Sequence, residues 1–322
     1  MKSLEHYWYS DNGLARLLSP LGWLFCLLVT VRRFGYRVGA LRSVRLPVAV
    51  IVVGNITVGG SGKTPLVIWL AEYLARSGYR PGIVSRGYGG RSPEWPQPVA
   101  PDSDPRMVGD EPVLIAGRTR CPVVVGPDRV AAANYLLARH ECDVILSDDG
   151  MQHYRLARDI EIGVIDGDRY LGNGRCLPAG PLREPRARLS EVDFVVSSGP
   201  ARGRAFAMRL RGERLHNLAS GETQSLSEWR GRTVHAAAGI GNPARFFEAL
   251  RRSGLEVIAH PFSDHHPLQS ADLDFGDGYP VLMTEKDAVK CRPFACENHW
   301  YLPVDAILPE PFGERIRTKL ER

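Results

Sequence analysis

The sequence predicts an α/β protein: a three-layer α/β/α nucleotide-binding domain built on a phosphate loop (P-loop), a second, smaller α/β domain, and an N-terminal membrane-associated helix. Three observations predict it. The glycine-rich loop Gly54-Asn55-Ile56-Thr57-Val58-Gly59-Gly60-Ser61-Gly62-Lys63-Thr64-Pro65 follows the apolar run VAVIVV. From Val48 onward, short apolar runs alternate with segments of helical spacing, the pattern of a mostly parallel sheet covered on both faces. The most apolar stretch, Leu17 to Val31, has fifteen residues without a charge and is flanked by arginines.

Composition sets the limits. At 322 residues, 44% apolar and 24% charged, the chain is globular and long enough for two domains. Its six cysteines are scattered without a CxxC pair, which supports neither a zinc ribbon nor a disulfide framework and fits a reducing compartment. The net charge of +5 arises within residues 1–46, where Lys2, Arg16, Arg32, Arg33, Arg37, Arg42 and Arg45 outnumber Glu5 and Asp11. The rest is neutral in sum, which argues against a nucleic-acid-binding face.

The apolar stretch at 17–31 is shorter than the roughly 20 residues a bilayer span needs, and Pro20 and Gly22 interrupt it. Its arginines follow the apolar core, whereas a secretory signal places them before it. Leu14, Leu17, Leu18, Leu21, Leu24, Phe25 and Leu28 share one helical face, with Trp23 and Tyr36 as interfacial anchors. The reading is a helix in the membrane surface with arginines on anionic headgroups. The alternative is a helix packed on the protein's own core.

Three segments are expected: 1–46, the helix and its basic flank; 47–200, the phosphate-loop domain; and 201–322, the smaller domain. In the first domain, PLVIWLAEYLARSG is a helix closed by Gly78, and PGIVS is a strand. Residues 91–107 hold five prolines and read as a long irregular loop, and Asp110-Glu111-Pro112 opens a helix. CPVVVG, CDVILSDDG, IEIGVID and VDFVVSS are strands, and DRVAAANYLLARH is a helix. Beyond Gly199, AFAMRL, PVLMTEKD and WYLPVDAIL read as strands, with Asn242 as N-cap and Pro243 at the first position of an intervening helix.

The loop carries the strongest chemical signal. Backbone N–H groups of the glycine turn and of the following helix point at anionic oxygens, so Thr57, Gly59, Gly60, Ser61, Gly62, Lys63 and Thr64 are assigned to nucleotide. Lys63 reaches the terminal phosphates and the Thr64 hydroxyl suits Mg²⁺. The strict phosphate-loop pattern has glycine where this chain has Thr57. The extra lysine of partitioning-type ATPases is replaced by Val58, and Thr284-Glu285-Lys286-Asp287 lacks the spacing of a guanine motif, so ATP is expected.

Asp148 and Asp149 end an apolar strand where a magnesium-binding carboxylate belongs. Asp110 suits either a proton acceptor or a helix N-cap. Asp264-His265-His266 suits a metal, a tuned base or a shaped loop, and the residues alone leave these open. In Leu177-Pro178-Ala179-Gly180-Pro181-Leu182-Arg183-Glu184-Pro185, Arg183 could hold a phosphate and Glu184 could pair with it or with magnesium.

Taken in order, GNITVGGSGKTP, SRGYGG, VGDEP, SDDGMQH, LPAGPLREP, FSDHH and MTEKDAVK closely resemble the tetraacyldisaccharide 4′-kinase family, the lipid A 4′-kinases of Gram-negative bacteria. The resemblance runs from the apolar helix to about Lys290. It implies two α/β/α domains with a cleft between them. It also implies transfer of the γ-phosphate of ATP, with Mg²⁺, to the 4′-hydroxyl of a tetraacylated disaccharide 1-phosphate at the cytoplasmic face of the inner membrane.

On this resemblance Asp110 is the base and His265 its tuning partner, and Lys63 acts in catalysis. Thr64, Asp148, Asp149 and Glu184 face the metal, and Arg183 and Asn55 face the lipid substrate. No nucleic acid or protein partner is implied. The competing class is a membrane-associated phosphate-loop ATPase switch, which would hydrolyse ATP without phosphorylating a lipid.

Overall fold

In the computed structural model, residues 7–10 and 12–322 are described. Lys2, Glu5 and Asp11 of the basic flank's charge count lie outside them. Among the described residues the strands form two sheets. The larger has nine strands in the spatial order Asp305–Ile307, Phe206–Arg211, Phe194–Ser198, Ile160–Asp166, Ala49–Gly54, Val144–Asp148, Pro81–Ser85, Val123–Val125 and Gln97–Val99. Only the two edge strands run antiparallel to their neighbours. Helices Lys63–Arg76, Asp110–Arg118 and Glu310–Leu320 pack on one face, and Arg129–Leu137 covers the other. Both faces being buried, the central strands read as near-continuous Val/Ile runs.

The second sheet orders Thr223–Ser225, Arg214–Asn217, His299–Leu302, Val281–Thr284, Thr233–Ala238 and Glu256–Pro261. It therefore draws on residues 214–302 alone. Phe206–Arg211 and Asp305–Ile307, both placed by the sequence in the smaller domain, pair within the large sheet, and Glu310–Leu320 packs on that sheet's core. The expected division at residue 200 does not coincide with the division between the sheets. WYLPVDAIL is two strands, one in each sheet. Pro303 separates them, since it brings no N–H to a ladder.

The proline-rich stretch 91–107 is more ordered than expected. Gln97–Val99 adds an antiparallel edge to the large sheet, a position where Pro98 is tolerated, and Pro105–Val108 forms a helical turn. Asn242 is the N-cap of Pro243–Arg252, yet its side chain reaches Asp166 (3.4 Å) and makes no capping bond.

The helix Ser19–Arg37 has two distinct sides. One docks on the 150–191 region: Gly22 lies so close that a Cβ would meet the Cys176 carbonyl at 2.9 Å, and Phe25 and Cys26 pack into a small apolar cluster there. The other leaves Leu21, Trp23, Leu24, Leu27, Leu28, Val31 and Phe34 each more than half exposed, as is Leu17 of the short helix Gly13–Leu17 before it. One side of this helix is thus packed on the protein's own core, and the other is an exposed apolar face.

Phe25 and Leu18 fall short of the outer face, and Tyr36 packs against Tyr154 at 5.8 Å between ring centres. Arg32 donates to the Gln152 carbonyl, Arg33 pairs with Glu191 and Arg45 with Asp159, so these three arginines have protein partners. Among the described residues, no helix is long and apolar enough to cross a membrane.

The strand Ala49–Gly54 is the pivot of the large sheet, and its last residue must be glycine: a Cβ on Gly54 would sit 2.6 Å from the Met151 Cβ. Gly54→Ala is expected to cost about 1–3 kcal/mol, the usual range for overpacking. Thermal unfolding should show a fall of a few degrees. An unchanged melting temperature would contradict this account of the strand end.

Candidate active site

The candidate residues fall in three segments. The first is the phosphate loop. Gly59 and Gly62 have φ of 98° and 87°, in the left-handed region that side chains disfavour, and the helix begins at Lys63. The loop is braced by Asn55, which donates to Ser61 Oγ (3.1 Å) and to the Gly59 carbonyl (3.4 Å).

Asn55 is fully buried, so its expected contact with substrate gives way to bracing of the loop. Thr57 is buried too, and forms an antiparallel bridge to Leu182, so the phosphate loop and the LPAGPLREP loop support each other. Gly60 also abuts Gly241 of the second unit, where any side chain would collide with it.

The second segment is Asp148-Asp149-Gly150. Asp149 lies in the left-handed region (φ 45°) and faces two cations: Lys63 Nζ at 3.4 Å and Arg183 at 3.2 Å. Burial alone would raise its pKa, but those cations hold it well below the usual carboxylate range. Asp148 is enclosed, accepting from Ser85 Oγ at 3.0 Å through one oxygen, while its Oδ1 has no partner. Burial, with Glu111 and Asp149 adding repulsion, pushes its pKa up to about 7.

The unpartnered, buried Asp148 Oδ1, next in the chain to Asp149, is the kind of hard oxygen donor that suits Mg²⁺.

Glu184 is fully buried, with its oxygens held by Gln152 (2.8 Å), by the Tyr154 hydroxyl and by Arg188 (3.3 Å). It anchors the loop that presents Arg183, its neighbour, to Asp149.

The third segment comes from both units. Asp110 opens the helix Asp110–Arg118 behind Gly109 (φ 92°), and is itself the first helical residue, not its N-cap. Both its carboxylate oxygens lie within reach of His265 Nδ1, at 3.1 and 3.2 Å. His265 stands in the left-handed region (φ 59°), one of three such non-glycine residues among those described, with Asp149 another; backbone strain of this kind collects at working sites. Burial opposes the charge on Asp110, but the His265 hydrogen bond and the Lys286 cation hold its pKa at about 2. His265 is raised, its Asp110 hydrogen bond overcoming burial and Lys286. His266 is turned away: it bonds Asp272 (3.3 Å) and stacks on Phe262.

Two residues of the site escaped the sequence reading. Lys286, weighed only as a misspaced guanine motif, is buried between the units, 3.1 Å from both Glu111 and Asp264. Arg129 lies beneath the acidic turn, 2% exposed, donating to the Gly126 and Asp148 carbonyls (2.9 and 3.5 Å). Burial lowers its pKa to about 10 despite Asp148 and Asp149. Its signal was a cation in the first turn of an alanine-rich helix, where the helix dipole disfavours one.

The bracing role of Asn55 has a measurable consequence. Asn55→Ala is expected to raise KM for ATP roughly tenfold with little effect on KM for the second substrate, since it removes binding at one site only. A rise confined to the second substrate would restore the contact first read from the sequence.

Comparison with known proteins supplies the family. The profile described as tetraacyldisaccharide-1-P 4'-kinase matches residues 14–321. A tetraacyldisaccharide 4'-kinase of Nitrosococcus oceani is 54% identical over 316 residues, 98% of this chain and 94% of its own. One from Alkalilimnicola ehrlichii is 56% identical over 326 residues, covering 100% of this chain and 98% of its own. The crystal structure of LpxK from Aquifex aeolicus in complex with ATP is 30% identical and superimposes with a TM-score of 0.80, covering 95% of this chain and 99% of that one. A phosphate loop, an acidic turn and a carboxylate–histidine pair on a two-sheet scaffold thus meet a match over nearly the whole length: this chain belongs to the tetraacyldisaccharide-1-P 4'-kinase family.

Proposed function

We propose that the protein transfers the γ-phosphate of ATP to the 4′-hydroxyl of a tetraacyldisaccharide 1-phosphate, the lipid A precursor. The observation that carries the reading is the Asp110–His265 pair, a carboxylate and an imidazole contributed by different units.

Phosphoryl transfer rests on alignment and charge neutralisation more than on covalent chemistry. The loop N–H groups and Lys63 hold the nucleotide phosphates, and Arg183 adds positive charge on the same side. Thr64, Asp148 and Asp149 would hold Mg²⁺, which neutralises phosphate oxygens when bound. Asp110 is kept ionised by its partners, so it is ready to accept the acceptor hydroxyl's proton. A carboxylate with so low a pKa is a weak base and takes that proton late, once the hydroxyl oxygen is bonding to phosphorus. His265 holds it in place through the contact of its Nδ1 with both carboxylate oxygens.

The acceptor's acyl chains belong in a bilayer, and the exposed apolar side of Ser19–Arg37 suits that surface. We place the enzyme peripherally on the cytoplasmic face of the inner membrane, where ATP and the lipid meet. The resting charge of its neighbourhood, rich in arginine, attracts anionic headgroups.

Incubating the detergent-solubilised protein with Mg²⁺-ATP and tetraacyldisaccharide 1-phosphate should raise the lipid's mass by one phosphate. Asp110→Ala should abolish that gain while ATP binding persists. ATP loss with an unchanged lipid mass would favour the ATPase switch. For the membrane reading, exchanging the exposed Leu21, Leu24 and Leu28 for serine removes about 1.5–3 kcal/mol of apolar burial per side chain. Co-sedimentation with anionic vesicles should then collapse while the melting temperature holds; unchanged sedimentation would refute this face as the membrane contact.

A further inference from the structure

We propose that Lys286 is a positioning residue that selects the tautomer of His265, fixing the proton on Nδ1 so that His265 can only donate to Asp110. The inference rests on Asp110 being the base.

An ammonium has three N–H bonds and no acceptor. Lys286 Nζ, on the second residue of the helix Glu285–Cys291, has three acceptors within reach: Glu111 Oε1 at 3.1 Å, Asp264 Oδ1 at 3.1 Å and His265 Nε2 at 3.3 Å. Asp110 Oδ2 stands farther off at 4.0 Å and feels only its charge. Lys286 is buried, yet the surrounding carboxylates raise its pKa, so it stays an ammonium.

A donor facing Nε2 requires a lone pair there. The single proton of the neutral ring must then sit on Nδ1, pointing at the Asp110 carboxylate. This excludes His265 from taking the acceptor's proton itself, since its one basic nitrogen is occupied. Both oxygens of Asp110 keep lone pairs for the incoming hydroxyl.

The groups around the pair come from several elements. Asp110 and Glu111 lie on the helix Asp110–Arg118, and Asp264 lies on the same loop as His265. Tyr88 sits with its ring 4.9 Å from the imidazole. On the helix of Lys286, Lys290 is already held by Asp287 (2.7 Å) and by the His266 carbonyl (3.0 Å). Lys286 is therefore the cation that meets Nε2 directly, and a second proton on His265 would place two positive groups 3.3 Å apart. Removing Lys286 lets His265 charge at higher pH, because Asp110 and Asp264 still favour the imidazolium.

The test begins with the unaltered protein. ¹⁵N-histidine labelling, with His265 assigned from the spectrum of His265→Gln and the pH raised until the ring carries a single proton, should show a protonated Nδ1 and an unprotonated Nε2. In Lys286→Met, kcat should fall roughly a hundredfold, the low end of what positioned acid–base chemistry contributes. The acid limb of its pH profile should move upward by about one pH unit as His265 takes its second proton. Lys286→Arg keeps a cation and should recover part of kcat and the original limb. A neutral ring with its proton on Nε2 in the unaltered protein would overturn the proposal, as would a Lys286→Met enzyme with the original pH profile. The wild-type spectrum stands even where Lys286→Met fails to fold. It also reads the tautomer whether or not Asp110 is the base, so the two claims fail separately.

Discussion

The structure turns on one contact between its two units, the meeting of Asp110 and Glu111 with His265 and Lys286. On one side is the first turn of a helix packed on the large sheet; on the other, a strained loop and the start of a helix from the small sheet. Neither half makes the pair alone. The carboxylate is 5% exposed and would be costly as a lone buried charge, so the imidazole and ammonium that stabilise it also bring the units into register. The opposite end of the Asp110 helix repeats the device, where Arg118 pairs with Glu285 at 2.8 Å.

The phosphate side of the cleft is organised by a different constraint, close approach of backbone. The central strand ends in Gly54, packed on Met151, and the acidic turn needs Gly150, whose Cβ would strike Ser147. These glycines let the phosphate loop and Asp148-Asp149 emerge side by side from neighbouring strands. Buried polar groups then brace the arrangement without facing substrate: Asn55 beneath the loop, Arg129 beneath the turn, and Glu184 behind Arg183.

Much of this was legible in the sequence, and the misses have physical causes. The loop, the parallel strands and the acidic turn are local patterns, set by glycine placement and by alternation of apolar runs. Asp110 and His265 were named through the order of motifs, since 155 residues separate them and no periodicity links them. Sheet membership was misread where the chain crosses twice, because Phe206–Arg211 and Asp305–Ile307 look like any edge strand and only pairing assigns them. The full burial of Asn55 and Glu184 was not legible, because polarity in a motif says nothing of burial. Lys286 was passed over because a lysine after a strand usually points to solvent, and only the fold brings three acceptors to it.

The central claim is that Asp110 and His265 act as one unit assembled across the cleft. A double-substitution cycle on lipid phosphorylation tests it most directly, comparing Asp110→Ala, His265→Ala and the pair. Residues that work as a unit lose their contribution together. The account predicts that the double variant is no slower than Asp110→Ala alone. Losses that multiply would show two independent contributions and contradict it.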